Sequence, residues 1–305
     1  MRFRPARFAA LMLACTAAIA TSPAMAQAEP DKNADIVVKG RTEELRYMLK
    51  DMLNESASSK QIGRFEQRLC PKVVGFPADW SKMLEDMVRK NATTAGLKLQ
   101  KEGCEPNAMI IFIDEPQRLV SEMGKALPEF FGHMTEEQRT ALSASYRPVY
   151  SWRVTDIRSS RGVELKKTDS FNGEASNAYV VRNAQATRTS ENTRQDILLS
   201  FAVMDIAKTE GKSLRQLADM ATMHLLLDLS QEAESVASPD SILTLFGATS
   251  DAAALPKRMS VMDKSMLTGT YKFRNNALKA GQQRGMIAKE IKEADEKAIA
   301  ADGSR

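Results

Sequence analysis

S-L-R-Q-L-A-D-M-A-T-M-H-L-L-L-D-L-S at 213–230, S-P-D-S-I-L-T-L-F-G at 238–247 and M-S-V-M-D-K-S-M-L-T-G-T-Y at 259–271 form the stretch whose reading decides the fold. Capping chemistry predicts three helix starts in it. Ser213 is followed three residues on by Gln216, a capping-box spacing. Ser238 precedes Pro239, which puts a proline at a first helical position, and Ser260 is followed by Asp263, a carboxylate in a first turn. Each supplies an acceptor or a negative charge where backbone N–H groups lack partners. Leu214, Leu217, Ala218, Ala221, Leu225 and Leu229 recur at three- and four-residue steps, the stripe of a helix facing a core. Gly247 suits the end of the second helix.

The order of these segments resembles the C-terminal half of a zincin-type metallopeptidase domain. In that family an H-E-x-x-H helix is followed by an S-I-M turn and a helix of the type L-T-x-x-D-x-x-x-L-x-x-L-Y. Ser241-Ile242-Leu243 looks like the turn, and Met262-Asp263 with Leu267 and Tyr271 looks like the last helix. The metal motif is absent: Ala218 and Thr222 stand where the histidines would be, and Asp219 stands for the glutamate. The resemblance implies a zincin-like scaffold that has lost its metal site. An ordinary three-helix core segment accounts for the same residues without it.

Upstream, the apolar run 107–113 lies between Pro106 and Asp114, as a central strand buried on both faces would. A helix from Pro77 precedes it, with Trp80, Met83, Leu84, Met87, Val88 and Ala95 on the stripe. A strand over 64–70, ended by Pro71, completes a strand–helix–strand crossover whose strands should be parallel. Further on, Leu119, Val120, Met123 and Leu127 predict a helix, and Thr135 with Gln138 a capping box. Strands are predicted over 149–157 and 197–206. Between them the polar segment 158–196 reads as an exposed hairpin or long loop, with Asn172-Gly173 as a turn and 178–182 as a strand.

Towards the N-terminus a short helix spans 43–53, and 27–40 is polar. At the other end 281–305 has few large apolar residues, and its four-residue charge pairs predict a solvated helix. The expected fold is α+β: a small mixed sheet with packed helices and a C-terminal helical part. The expected organisation is a signal peptide at 1–26, a polar segment with a short helix at 27–60, a core domain at 61–275 and a charged tail at 276–305.

The compartment follows from the first residues. Arg2, Arg4 and Arg7 precede an apolar stretch at 8–20, and Ala24-Met25-Ala26 has the small residues of a cleavage site. Cleavage near Ala26 makes the chain periplasmic or secreted. No later segment is apolar enough to span a bilayer. The loss of three arginines lowers the net charge from +4 to +1, which leaves no electrostatic footprint for nucleic acid. Export also removes Cys15 and leaves Cys70 and Cys104, an even pair in an oxidising compartment and an expected disulfide. In the chain-entropy treatment such a closure stabilises the fold by about 4 kcal/mol.

Few chemistries have the residues they need. Zinc hydrolysis requires three clustered ligands, whereas His133 and His224 are the only histidines and stand far apart in sequence. Asp219 has the chemistry to orient a water but no activated nucleophile to serve. Gly211-Lys212-Ser213 resembles the end of a phosphate loop, but Ile206 occupies the place of its first glycine. No G-x-S-x-G elbow and no C-x-x-C occur. The 17 methionines include helical pairs such as Met220 and Met223, which read as core packing rather than copper(I) ligands. No catalytic, cofactor or metal residue can therefore be assigned. The expected function is an exported non-catalytic binding protein for an envelope protein or a small ligand. A divergent envelope hydrolase using carboxylates is the alternative.

Overall fold

The computed structural model describes residues 32–168, 170–171, 174–175, 179–181, 190–247, 254–274 and 276–302. The segment read as a signal peptide, the Asn172-Gly173 turn, and Ala178 and Arg182 lie outside the described residues. In chain order the elements are α1 (Lys32–Met52), β1 (Pro71–Val74), α2 (Ala78–Ala95), β2 (Ala108–Ile113), α3 (Pro116–Ala126), α4 (Glu136–Leu142) and β3 (Val149–Ser159). Then come β4 (Ser170–Phe171), β5 (Glu174–Ala175), β6 (Thr193–Asp205), α5 (Leu214–Leu226), α6 (Ala233–Val236), α7 (Val261–Tyr271) and α8 (Ala280–Asp302). The architecture is mixed α+β, as the sequence predicts.

One four-stranded sheet runs in the order β1-β2-β6-β3. β1, β2 and β6 are parallel, and β3 closes one edge antiparallel to β6. The crossover through α2 is the one predicted, but its first strand begins at Pro71 instead of ending there. Proline is tolerated at a strand's first residue, where no ladder N–H is needed. The 64–70 stretch is held instead by single bridges, Arg64 to Asp196 and Leu69 to Leu99. The Cys70–Cys104 disulfide is formed, joining the residue before β1 to the loop that leads into β2.

Helices cover both faces of the sheet. Ala108, Ile110 and Phe112 of β2 enter a main core with Leu84 and Val88 of α2, Leu217, Met220 and Leu225 of α5, and Met266 of α7. Met109, Ile111 and Ile113 point to the opposite face and are only partly buried. The second face is thus covered more thinly than the continuous apolar run implies. Its centre is an aromatic stack: Trp152 lies between Phe131 and Phe201 at centroid distances of 4.7 and 4.9 Å.

α5 is the hub. Its capping box is present, with Ser213 and Gln216 bonded reciprocally. From Leu217 to Leu226 every side chain is buried, so the helix is enclosed all round and not only along one stripe. Leu229 lies beyond its end and bridges to Leu53. The Ser260 box that opens α7 is present as well.

Four other expectations are corrected. No helix starts at Ser238; Ser241 instead caps a three-residue 3-10 turn at Ile242–Thr244. The buried Asp263 carboxylate draws the chain into that turn, accepting from Ser241 Oγ at 2.6 Å and from the Ile242 N–H at 2.8 Å. The N-terminal helix begins at Lys32 instead of near 43 and takes in much of the segment read as polar. The flanking strands reach further than expected, β3 to Ser159 and β6 from Thr193, while β4 and β5 pair antiparallel as the expected hairpin requires and Tyr179 makes a single bridge to Lys167. Finally, α8 is not solvated all round: Ala280, Ile287, Ala288 and Ile291 enter the main core. Gly269 of α7 permits this approach, since a Cβ there would lie 2.8 Å from the Ile287 Cα.

Candidate functional site

α5 carries three polar side chains into the interior: Asp219, Thr222 and His224 are each less than 5 % exposed. Burying such groups is costly unless each has partners, so the partners define what they do. Asp219 and His224 lead to two different places.

Asp219 forms the floor of a cleft of about 360 Å³ between α2, α5, α7 and the segment before α7. Its Oδ1 accepts from Asn91 Nδ2 of α2 at 2.8 Å, and its Oδ2 accepts from the Met259 N–H at 2.9 Å. Arg215, one turn earlier on α5, stands 3.8 Å from Oδ1. One carboxylate thereby ties together three walls of the cleft. Gln216 adds a second tie, donating from Nε2 to the Pro256 carbonyl at 2.9 Å. Asn91 spends its other amide hydrogen on Thr222 Oγ1 at 3.0 Å.

The walls are cationic. Lys90 of α2, Arg215 of α5, Arg258 of the segment before α7 and Lys264 of α7 line the cleft, and Asp219 is the sole carboxylate among its lining residues. Asp219 is already engaged with internal donors. Lys90, Arg258 and Lys264 are exposed and make no ion pair among the described residues. Ala95, Met259 and Leu267 add an apolar patch. Four cations converging on one concavity focus positive potential there, and an anion that enters meets three of them, Lys90, Arg258 and Lys264, with no competing ion pair among the described residues.

The zinc that the zincin resemblance implies does not fit these residues. Ala218 and Thr222 offer no imidazole, and both Asp219 oxygens are held by protein donors. Among the described residues no three His, Cys, Asp or Glu side chains are grouped so as to hold a metal ion.

His224 points the other way, towards β3. Its Nδ1 lies 3.0 Å from Ser151 Oγ and its Nε2 lies 3.6 Å from Glu234 Oε1, a serine–histidine–carboxylate sequence. Ser151 also lines a groove of about 240 Å³ beside β3, together with Arg153, Asp228, Asn54 and the exposed His133. The chain of contacts lacks the basicity for nucleophilic catalysis. Burial first, and then the neighbouring Arg153 guanidinium, push the His224 pKa down to about 3. Such an imidazole does not take a hydroxyl proton at neutral pH. Arg153 is itself buried against Asp228 at 3.8 Å and donates to the His224 carbonyl. His224, Ser151 and Arg153 thus fasten α5 to the sheet.

No family model, curated protein or solved structure matches this chain.

Of the residues singled out in the sequence, Cys70 and Cys104 meet as expected, and Asp219 lies in the cleft as an anchor. His133 lines the other groove, and His224 is buried behind it against Ser151. The cationic set was missed. Lys90, Arg215, Arg258 and Lys264 come from separate segments and have no characteristic spacing, so only their convergence in the fold reveals them. A weak local signal existed for Arg153, a charge flanked by Trp152 and Val154 in a strand pattern.

Proposed function

We propose that this chain is an exported binding protein that holds a small anionic ligand in the cleft between α2, α5 and α7, on a scaffold akin to that of zincin-type peptidases. The cationic lining of that cleft carries the reading: four basic side chains face one carboxylate, and that carboxylate is already bonded from within. The volume, about 360 Å³, lies in the range of small-molecule sites. The zincin part draws support from the order of elements, with the capped α5, the Ser241 turn and α7 following one another as in that family. Export draws support from the Cys70–Cys104 disulfide, which is compatible with an extracytoplasmic location. No described helix is long and apolar enough to cross a membrane.

The test is a thermal unfolding series of the disulfide-intact protein with inorganic phosphate, pyrophosphate and succinate. A ligand at a hundred times its Kd adds about 2.7 kcal/mol of stability, a shift of several degrees. The midpoint should rise with at least one anion, and the rise should vanish in the R258A/K264A double variant, whose exposed side chains are dispensable for packing. If none of the three anions moves the midpoint, the reading is wrong.

A further inference from the structure

The anion cleft contains polar groups that a bare anion would leave unused, and they name its ligand more closely. Helical serine and threonine hydroxyls commonly bond back to the carbonyl four residues earlier. In this protein Thr93, Thr94, Thr222, Ser265 and Thr270 all do so. Thr268 does not, although it lies on the same helix as Ser265 and Thr270. Its hydroxyl lines the cleft with no partner among the described residues. Thr94 faces it from α2. Because its proton is spent on the Lys90 carbonyl at 2.9 Å, its oxygen can only accept. Asn91 is in the same condition: both amide hydrogens are engaged, by Asp219 and Thr222, and its carbonyl oxygen accepts nothing among the described residues.

The cleft therefore offers three kinds of contact in one concavity. Lys90, Arg215, Arg258 and Lys264 suit an acidic group. Asn91 Oδ1 and Thr94 Oγ1 are acceptors that need a donor on the ligand, which succinate does not carry and which phosphate or pyrophosphate offers only as a residual acidic proton on the charged group itself. Thr268 can give or take a proton. Ala95, Met259 and Leu267 present C–H surface to a carbon skeleton. We propose that the cleft is a site for an acidic sugar, a polyhydroxylated ring bearing a carboxylate or a phosphate ester, with its hydroxyls donated to Asn91 and Thr94. This inference rests on the anion-binding reading above and goes beyond it in naming the neutral part of the ligand.

The test is titration calorimetry on the disulfide-intact protein with D-glucuronate, D-glucose 6-phosphate, D-glucose, succinate and inorganic phosphate. At least one of the two acidic sugars should bind tenfold or more tightly than succinate, phosphate or glucose. Whichever is preferred identifies the acidic group. T94V and T268V keep the side-chain shape and remove the hydroxyl, so circular dichroism should be unchanged while the tenfold margin shrinks to about threefold or less. Affinity for succinate and phosphate should stay as in the parent protein. Equal affinity for hydroxyl-free and hydroxylated anions would overturn this inference and leave the anion-binding reading intact. Binding of glucose as tightly as both acidic sugars, or no binding by any anion, would overturn both.

Discussion

Replacing Asp219 by alanine removes the one group that joins three walls of the cleft, and the cost can be worked out contact by contact. Two donors lose a charged acceptor: Asn91 Nδ2 at 2.8 Å and the Met259 N–H at 2.9 Å. Asn91 retains its bond to Thr222, so its loss is a charge-assisted hydrogen bond of about 1.5–3 kcal/mol. Met259 is 5 % exposed and its N–H has no second acceptor, so a desolvated donor adds about 1–3 kcal/mol. Arg215, at 3.8 Å and half-exposed, adds little. The sum is about 2.5–6 kcal/mol, against total stabilities of about 5–15 kcal/mol for natural domains. Urea unfolding followed by circular dichroism should show a lower midpoint with an unchanged slope, because the surface exposed on unfolding is the same. Asp219→Asn should lose about half as much, since its remaining oxygen can accept from Met259 while its amide faces that of Asn91. Asp219→Ala should also bind anions more weakly, as the segment carrying Arg258 loses its tether. A loss below about 1 kcal/mol in D219A at constant slope would refute the reasoning, because it would mean that these donors find water as readily as the carboxylate.

Three further outcomes are expected. Arg64 is buried and donates to the Thr270 and Phe273 carbonyls at 2.8 and 2.7 Å, so it closes the C-terminal end of α7; Arg64→Met should cost about 3 kcal/mol in thermal unfolding by leaving those carbonyls unpaired. Gly269→Ala places a Cβ 2.8 Å from the Ile287 Cα and should destabilise by about 1–3 kcal/mol, with faster hydrogen exchange confined at first to α8. The third concerns pH. His224 falls from 6.5 to about 3 on folding, so alone it makes stability decline as pH drops from 6.5 towards 3. Glu234 rises from 4.5 to about 7, chiefly through burial, so alone it makes stability decline as pH climbs from 4.5 to 7. Between pH 4.5 and 6.5 the pair holds one proton in either state, on His224 unfolded and on Glu234 folded, and its contributions cancel. Glu234→Gln should therefore show, relative to the parent, a new loss of stability on acidification across that window; matching pH profiles for the two proteins would contradict the assignment.

Much of the architecture was legible without coordinates, because it depends on neighbours in the chain. The capping boxes at Ser213 and Ser260 involve residues three apart, and the helix α2 and the apolar run of β2 are local patterns, although Trp80 and Met83, placed on the α2 stripe, are exposed. The parallel pairing of β1 and β2 followed from the length of the crossover, and the disulfide from an even count of cysteines in an oxidising setting. Local pattern failed where a distant group intervened. Asp263 converts the Ser241 segment into a short turn from 22 residues away. The small Gly269 lets an outwardly polar C-terminal helix bury four of its residues.

The candidate site belongs wholly to this second class. Nothing in the neighbouring sequence marks Lys90, Arg215, Arg258, Lys264 or Thr268. The sequence by itself determined the helices and strands on which these side chains sit, since hydrogen bonding and periodicity act over a few residues. Only the packing of α2, α5 and α7 around the Asp219 carboxylate turned scattered charges into a cleft, because electrostatic focusing depends on distance in space and is blind to separation along the chain.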